Sequence, residues 1–272
     1  MMKRILCPTD FSPSATNAIA YAAKFCQVVN AEMTLFNVQS IFDLSPAEII
    51  KGESARIRSV AQLLEDQSDE VGAVFKIVSH ADIQPAMSPL SHAIEEKASD
   101  YDLIIMGGGK PHDLYSFFAG SNAYNATKRC NIPVMLIPDS YLYTSIDQIV
   151  YAYNVLKERR IPLHQLTPWL DKLNATLCVL EVLEKTVSLD VEDEMKEIQQ
   201  LLEQLYPEIP MTLESVYADS EATGIHRYME SRSGGLLVMC SKQRNLISSI
   251  FHKSAIKGIY DVACYPTLVV HD

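Results

Sequence analysis

A chain of 272 residues is long for one compact domain and comfortable for two. Hydrophobic residues make up 48%, enough for a core in each half, and the formal charge of −11 repels a phosphate backbone, which argues against nucleic acid as a partner. No apolar run reaches the length of a membrane span, and the opening MMKRILCPTD turns polar too soon for a secretory signal, so the expectation is a cytoplasmic protein with no membrane partner.

The first strand is expected at Lys3 to Cys7, ending in Pro8, Thr9 and Asp10. Ser12 followed by Pro13 starts a helix: a side-chain acceptor at the cap, then a residue whose missing N–H is no loss in the first turn. Ala15, Ala18, Ile19, Ala22, Cys26 and Val29 recur at three- and four-residue steps and form one apolar stripe, ending near Asn30. Met33 to Val38 reads as the second strand, Glu53 to Glu70 as a second helix, Ala73 to Val78 as the third strand and Ser88 to Ser99 as a third helix. Strands alternating with helices predict a parallel sheet covered on both sides.

The stretch from Tyr101 to Pro138 carries the chemistry. Leu103 to Met106 is an unbroken apolar run, as expected of a strand buried on both faces, and it stops on Gly107, Gly108 and Gly109. Gly120 and Ser121 then open a segment free of Pro and Gly as far as Asn131, which reads as a helix, and Val134 to Ile137 reads as the fifth strand. Glycine lets a ligand approach the backbone, and the unpaired N–H groups of a helix start attract phosphate. Three glycines after a strand also make a plain flexible turn, and the pattern alone is weakly specific.

At these residues the sequence resembles the universal stress protein (UspA-like) family, whose nucleotide-binding members carry G-x2-G-x9-G-[ST] between the fourth strand and the fourth helix. Gly107, Gly120 and Ser121 match; Lys110 stands where the family has its second glycine. Lys110 either places its ammonium on a phosphate or points into solvent. The resemblance implies that Asp10 and the backbone at Val38 meet an adenine, Gly107 the ribose, and Gly120, Ser121 and Asn122 the phosphates. With the neighbouring Pro8, Thr9, Gly109 and Lys110, these form the candidate binding set. It implies ATP, or the related ADP or AMP, with Mg²⁺ as an optional companion. For Asp10 the competing reading is a helix-cap carboxylate; for Val38 it is a buried strand residue.

After Pro138 the pattern starts again. RILCPTDF answers to QIVYAYNV, LIIMG at 103 to LLVMC at 236, and NIPVMLIP at 131 to CYPTLVVH at 264. The spacing from Gly107 to Pro133 equals that from Cys240 to Pro266. Equal spacing and matching strand character predict a tandem duplication, with domains at 1–140 and 146–272 and a boundary in Asp139 to Ile146. The fold class expected is α/β: two tandem open-sheet domains, each a mainly parallel five-stranded sheet with helices on both faces, like the adenine nucleotide alpha hydrolases. The second copy has Asn154 for Asp10 and Cys240, Lys253 and Ser254 for the loop residues, so it is expected to keep the fold without the nucleotide site.

Other chemistry finds little support. The six cysteines, Cys7, Cys26, Cys130, Cys178, Cys240 and Cys264, are scattered without a C-x-x-C pair and read as small buried hydrophobes. The seven histidines show no metal-ligand spacing, and Ser121 sits in no nucleophile elbow. The leading expectation is a stress-response protein that binds an adenine nucleotide in its first domain and acts as a sensor or regulator. Two alternatives stay open: an adaptor working through protein contacts, and a slow adenine-nucleotide hydrolase. The family resemblance further implies fifth strands paired within the chain, a homodimer and a protein partner of unknown identity.

Overall fold

The computed structural model describes residues 3–40, 55–86, 90–108, 122–139, 141–154, 163, 166–184, 191–232, 234–240 and 265–271. It divides into two compact units, Met1–Tyr143 and Thr144–Asp272.

In the first unit the strands are β1 (Arg4–Pro8), β2 (Glu32–Ser40), β3 (Ser79–Ala86), β4 (Leu103–Gly107) and β5 (Val134–Ile137). They lie in the order β3-β2-β1-β4-β5, and every pair is parallel. Parallel neighbours cannot be joined by a tight hairpin, so helices carry the chain between them. Those described are α1 (Pro13–Val29), α2 (Ala55–Phe75), α3 (Leu90–Ala98) and α4 (Asn122–Arg129). Ile5, Leu6, Leu103, Ile104 and Ile105 are wholly buried, which is why β1 and β4 read as continuous apolar runs.

Helix α1 shows how local chemistry sets the ends. The Ser12 hydroxyl accepts a hydrogen bond from the Ala15 N–H (3.2 Å), and Pro13 takes the first position. At the other end Asn30 turns left-handed (φ 54°), letting the Ala31 N–H donate to the Cys26 carbonyl at 3.0 Å. Asn17 Nδ2 donates to the carbonyls of Pro138 (2.9 Å) and Tyr141 (3.2 Å), and the rings of Tyr141 and Tyr143 pack on Tyr21. The segment after β5 is thereby fastened to α1.

One predicted element is displaced. The third strand, expected at Ala73 to Val78, lies at Ser79–Ala86, and Ala73 to Phe75 belongs to the last turn of α2. The helix runs on because Leu64 and Val71 bury its inner face while Val74 stands 65% exposed at its end. Lys76 then turns left-handed (φ 53°), and the Ile77 N–H closes the helix on the Gly72 carbonyl at 3.3 Å. The apolar run AVFKIV is thus cut in two by a helix cap.

The second unit holds β6 (Gln148–Ala152), β7 (Thr176–Glu184), β8 (Met211–Ala218), β9 (Gly235–Cys240) and β10 (Thr267–Val270), all pairs parallel, in the order β8-β7-β6-β9-β10. Its described helices are α5 (Thr167–Leu173), α6 (Val191–Leu205) and α7 (Glu221–Glu230). Registers correspond between units: Arg4 faces Glu32 as Gln148 faces Thr176, and Ile104 faces Val134 as Leu237 faces Thr267. A polar cluster ties β8 to α7 and the residues after it. Tyr228 Oη and Arg232 Nη2 both donate to Glu214 Oε2 (2.9 and 3.0 Å), Arg232 Nη1 donates to Gln148 Oε1 (3.2 Å), and the guanidinium lies 4.2 Å from the centre of the Tyr228 ring.

Cys7, Cys26 and Cys130 are all buried free thiols. Burial disfavours the thiolate, pushing Cys26 up to about 12 and Cys130 to about 11, with Cys7 raised further still. The native protein at pH 8 should therefore leave these three unreactive toward a disulfide reagent, while urea exposes them to full reaction. Unfolded thiols ionise near 9.0 while the folded ones hold their protons. The unfolded state then binds fewer protons, so stability is complete below pH 9 and falls above it, by up to about 1.4 kcal/mol per thiol per pH unit. Urea midpoints at pH 7.5 and 10 check this; equal midpoints would show that the thiols titrate alike in both states.

Candidate functional site

In the first unit the strand order reverses between β1 and β4: the chain moves outward through β2 and β3 on one side and through β5 on the other. Open parallel sheets bind ligands beyond the carboxyl ends of strands at such a reversal. Pro8 ends β1 there and Gly107 ends β4.

The loop leaving β1 is held by short-range hydrogen bonds. Thr9, 4% exposed, donates its N–H to the Phe36 carbonyl at 2.8 Å, extending the ladder between β1 and β2 by one bond. Thr9 Oγ1 accepts from the Phe11 N–H (3.0 Å), and Asp10 Oδ1 accepts from the Ser12 N–H (3.0 Å). Phe11 takes a left-handed conformation at φ 62°, unusual for a bulky residue and of the kind that persists only where surrounding contacts fix it. The Asp10 carboxylate is exposed at the sheet edge with one oxygen engaged by the helix start. The cap of α1 is Ser12, and Asp10 braces the turn that precedes it.

Val38 is half-buried on β2, two residues beyond the Phe36 carbonyl that receives Thr9. Gly107 closes β4, and the following Gly108 N–H donates to the Ile137 carbonyl at 2.7 Å. A Cβ at Gly107 would stand 2.4 Å from Ser14 Oγ and 3.0 Å from the Ser14 carbonyl carbon and oxygen. The absent side chain therefore lets the first turn of α1 press against the end of β4. Asn122 is the first residue of α4. Gly109, Lys110, Gly120 and Ser121 lie outside the described residues.

Two residues that the sequence reading passed over belong to this loop. Asn37, 4% exposed within β2, donates from Nδ2 to the Thr9 carbonyl at 2.8 Å, and Gln39 Nε2 donates to Asn37 Oδ1 at 2.5 Å. The signal was available: an amide in the middle of the apolar run LFNV has to find a partner.

The same register in the second unit carries different groups. The Tyr153 N–H donates to the Leu180 carbonyl at 3.1 Å, repeating the Thr9 bond. Asn154 stands at the place of Asp10, Val182 at that of Val38 and Cys240 at that of Gly107. At Asn37's place is Glu181, only 2% exposed. Gly224 of α7 packs so tightly on β7 that a Cβ there would fall 2.5 Å from Val182 Cγ1. Among the described residues, Tyr153, Asn154, Glu181, Val182, Glu221 and Ile225 line a shallow crevice of about 10 Å³. Among the described residues no group of His, Cys, Asp and Glu could hold a metal ion, and no helix is long and apolar enough to cross a membrane.

Comparison with known proteins places this geometry in context. The model of the universal stress protein family matches residues 1–138. A universal stress protein from Archaeoglobus fulgidus superposes with a TM-score of 0.71 at 14% identity, covering 98% of both chains. A putative universal stress protein from Pseudomonas aeruginosa gives 0.61 at 13% identity, over 99% of this chain and 93% of its own. A universal stress protein in complex with cAMP aligns over 51% of this chain and 99% of its own, at 19% identity and a TM-score of 0.40. The first two likenesses, at 14% and 13% identity, establish the fold. No curated protein sequence matches the chain.

The contact at Gly107 is open to a direct check. Gly107→Ala places a methyl where Ser14 stands and should cost about 1–3 kcal/mol, the usual penalty of forcing an atom into packed space. Urea denaturation measures it; a variant as stable as the parent would show that α1 yields freely at its first turn.

Proposed function

The chain belongs to the universal stress protein family, and on that premise we propose that its first unit binds ATP or a related adenine nucleotide and serves as a nucleotide-responsive regulator in a stress response. The observation that carries the reading is the pairing of two features at the reversal of strand order: the braced loop that presents Asp10, and the glycine end of β4 that leads toward Gly120 and Ser121. The exposed Asp10 carboxylate would accept from the adenine amino group, while main-chain groups at Val38 meet the ring edge. Gly107 would border the ribose, and the start of α4, with Ser121 and Asn122, would receive the phosphates on its unpaired N–H groups and positive dipole end.

The second unit is, in this reading, a duplicated copy that keeps the sheet and has given up the nucleotide. Its shallow crevice and the Cys240 side chain at the glycine position support that view. It would supply scaffold and interaction surface, with two chains associating symmetrically.

A second reading is favoured by a specific contact. Because Ser14 fills the space beside Gly107, that glycine already has a packing reason to be there, and an adaptor that binds no nucleotide would need it too.

Calorimetric titration of ATP with Mg²⁺ into the purified protein separates the two, run beside Gly120→Trp, whose indole would fill the loop. Binding of about one nucleotide per chain, lost in the variant, is the expected result. No heat and no thermal stabilisation at millimolar nucleotide would leave the adaptor.

A further inference from the structure

We propose that Asn37 is the positioning residue of the nucleotide site: its buried amide sets the loop carrying Asp10, and through that loop the preference for a 6-amino purine. The inference rests on the nucleotide reading of the first unit for its ligand, and on the hydrogen bonds around Thr9 for its mechanism.

The regular ladder between β1 and β2 has Pro8 opposite Phe36 as its last pair. One residue further, Thr9 is fixed on both sides of its peptide framework: its N–H by the Phe36 carbonyl, and its C=O by Asn37 Nδ2. The first bond is main chain to main chain and does not depend on the side chain at position 37. The second depends on one side chain, buried and therefore unable to be replaced by water without rearrangement. The amide is oriented in turn by Gln39, which donates to its oxygen and so leaves the NH₂ facing Thr9.

Asp10 follows directly, strung between the fixed Thr9 and the cap of α1, where Ser12 donates to its carboxylate. The left-handed Phe11 joins the two anchors, with its N–H returned to Thr9 Oγ1. With its carbonyl released, Thr9 keeps only the main-chain bond to Phe36, its support of Phe11 weakens, and the direction of the carboxylate goes with it. A carboxylate fixed opposite the 6-position accepts from the amine of adenine and repels the 6-oxo group of guanine in the same pose. A carboxylate free to turn can accept from the N1–H and 2-amino group of guanine, so its direction bears on the choice between the two.

The second unit repeats the main-chain bond and lacks the amide. Tyr153 still donates to Leu180, yet the residue at Asn37's register is Glu181, an acceptor in its ionised form that has no N–H for the Tyr153 carbonyl. The unit with the amide carries the Asp10 loop, and the unit without it has Asn154 and a crevice of about 10 Å³.

The test compares Asn37→Leu, of similar shape with no donor, and Asn37→His, which restores a ring N–H, by three measurements on the full chain. In the ligand-free proteins, amide hydrogen exchange at Phe11 and Ser12 should quicken by about tenfold or more in Asn37→Leu, matching loss of one buried hydrogen bond, and return toward the parent in Asn37→His. Titrations with ATP, GTP and inorganic tripolyphosphate should show ATP affinity falling about tenfold in Asn37→Leu with the ATP over GTP preference reduced, and tripolyphosphate unchanged. A thermal midpoint for each variant separates this from general destabilisation, which would weaken all three ligands together. Unchanged exchange at Phe11 and Ser12 overturns the positioning role, as does equal loss for ATP and tripolyphosphate. Parent protein that takes up no ATP overturns the nucleotide reading, and the exchange data still decide whether Asn37 holds the loop.

Discussion

Parallel pairing is the constraint from which the rest of this structure follows. A parallel strand ends on the far side of the sheet from the start of its neighbour, so each strand here must be followed by a crossover, and the loops leaving the strands gather at one edge. With β1 in the centre and the chain moving outward in both directions, the adjacent strands β1 and β4 end side by side where the strand order reverses. Open parallel sheets take ligands at such a reversal.

At that edge the backbone meets two demands. Helix α1 must start soon after β1, and it must pack over the end of β4. Gly107 and Ser14 are where these meet: no side chain on β4 permits the helix turn to approach within contact distance. On the β1 side the solution is different, with a bulky Phe11 bent into a left-handed turn and held by Thr9 and by the helix cap. The first unit thus uses a missing side chain at one strand end and a network of small polar contacts at the other.

The two units set different side chains on corresponding strand ends. Their sheets have the same order, corresponding registers and the same main-chain bond past the central strand. What differs is side-chain chemistry at a few positions: Asp10 against Asn154, Asn37 against Glu181, Gly107 against Cys240. Main-chain geometry is indifferent to these exchanges, since the ladder uses only N–H and C=O groups. Ligand chemistry is not, which is why the fold alone leaves function to the site.

The sequence by itself determined the elements whose signals are local. The β1 and β4 runs are buried on both faces and announce themselves by unbroken apolar character; α1 is written in its Ser12-Pro13 start and its three-four stripe, down to Asn30. Matching strand character in the two halves is also visible in the sequence, as in LIIMG at 103 and LLVMC at 236. The tertiary structure alone decided the rest. Ala73 to Phe75 could be strand or helix by composition, and the burial of Leu64 and Val71 on the inner face of α2 settled it as helix. The contact between Gly107 and Ser14 and the hold of Asn37 on Thr9 join residues far apart in the chain. No periodicity encodes such pairs, because they exist only once parallel pairing has brought the ends of β1, β2 and β4 to one edge.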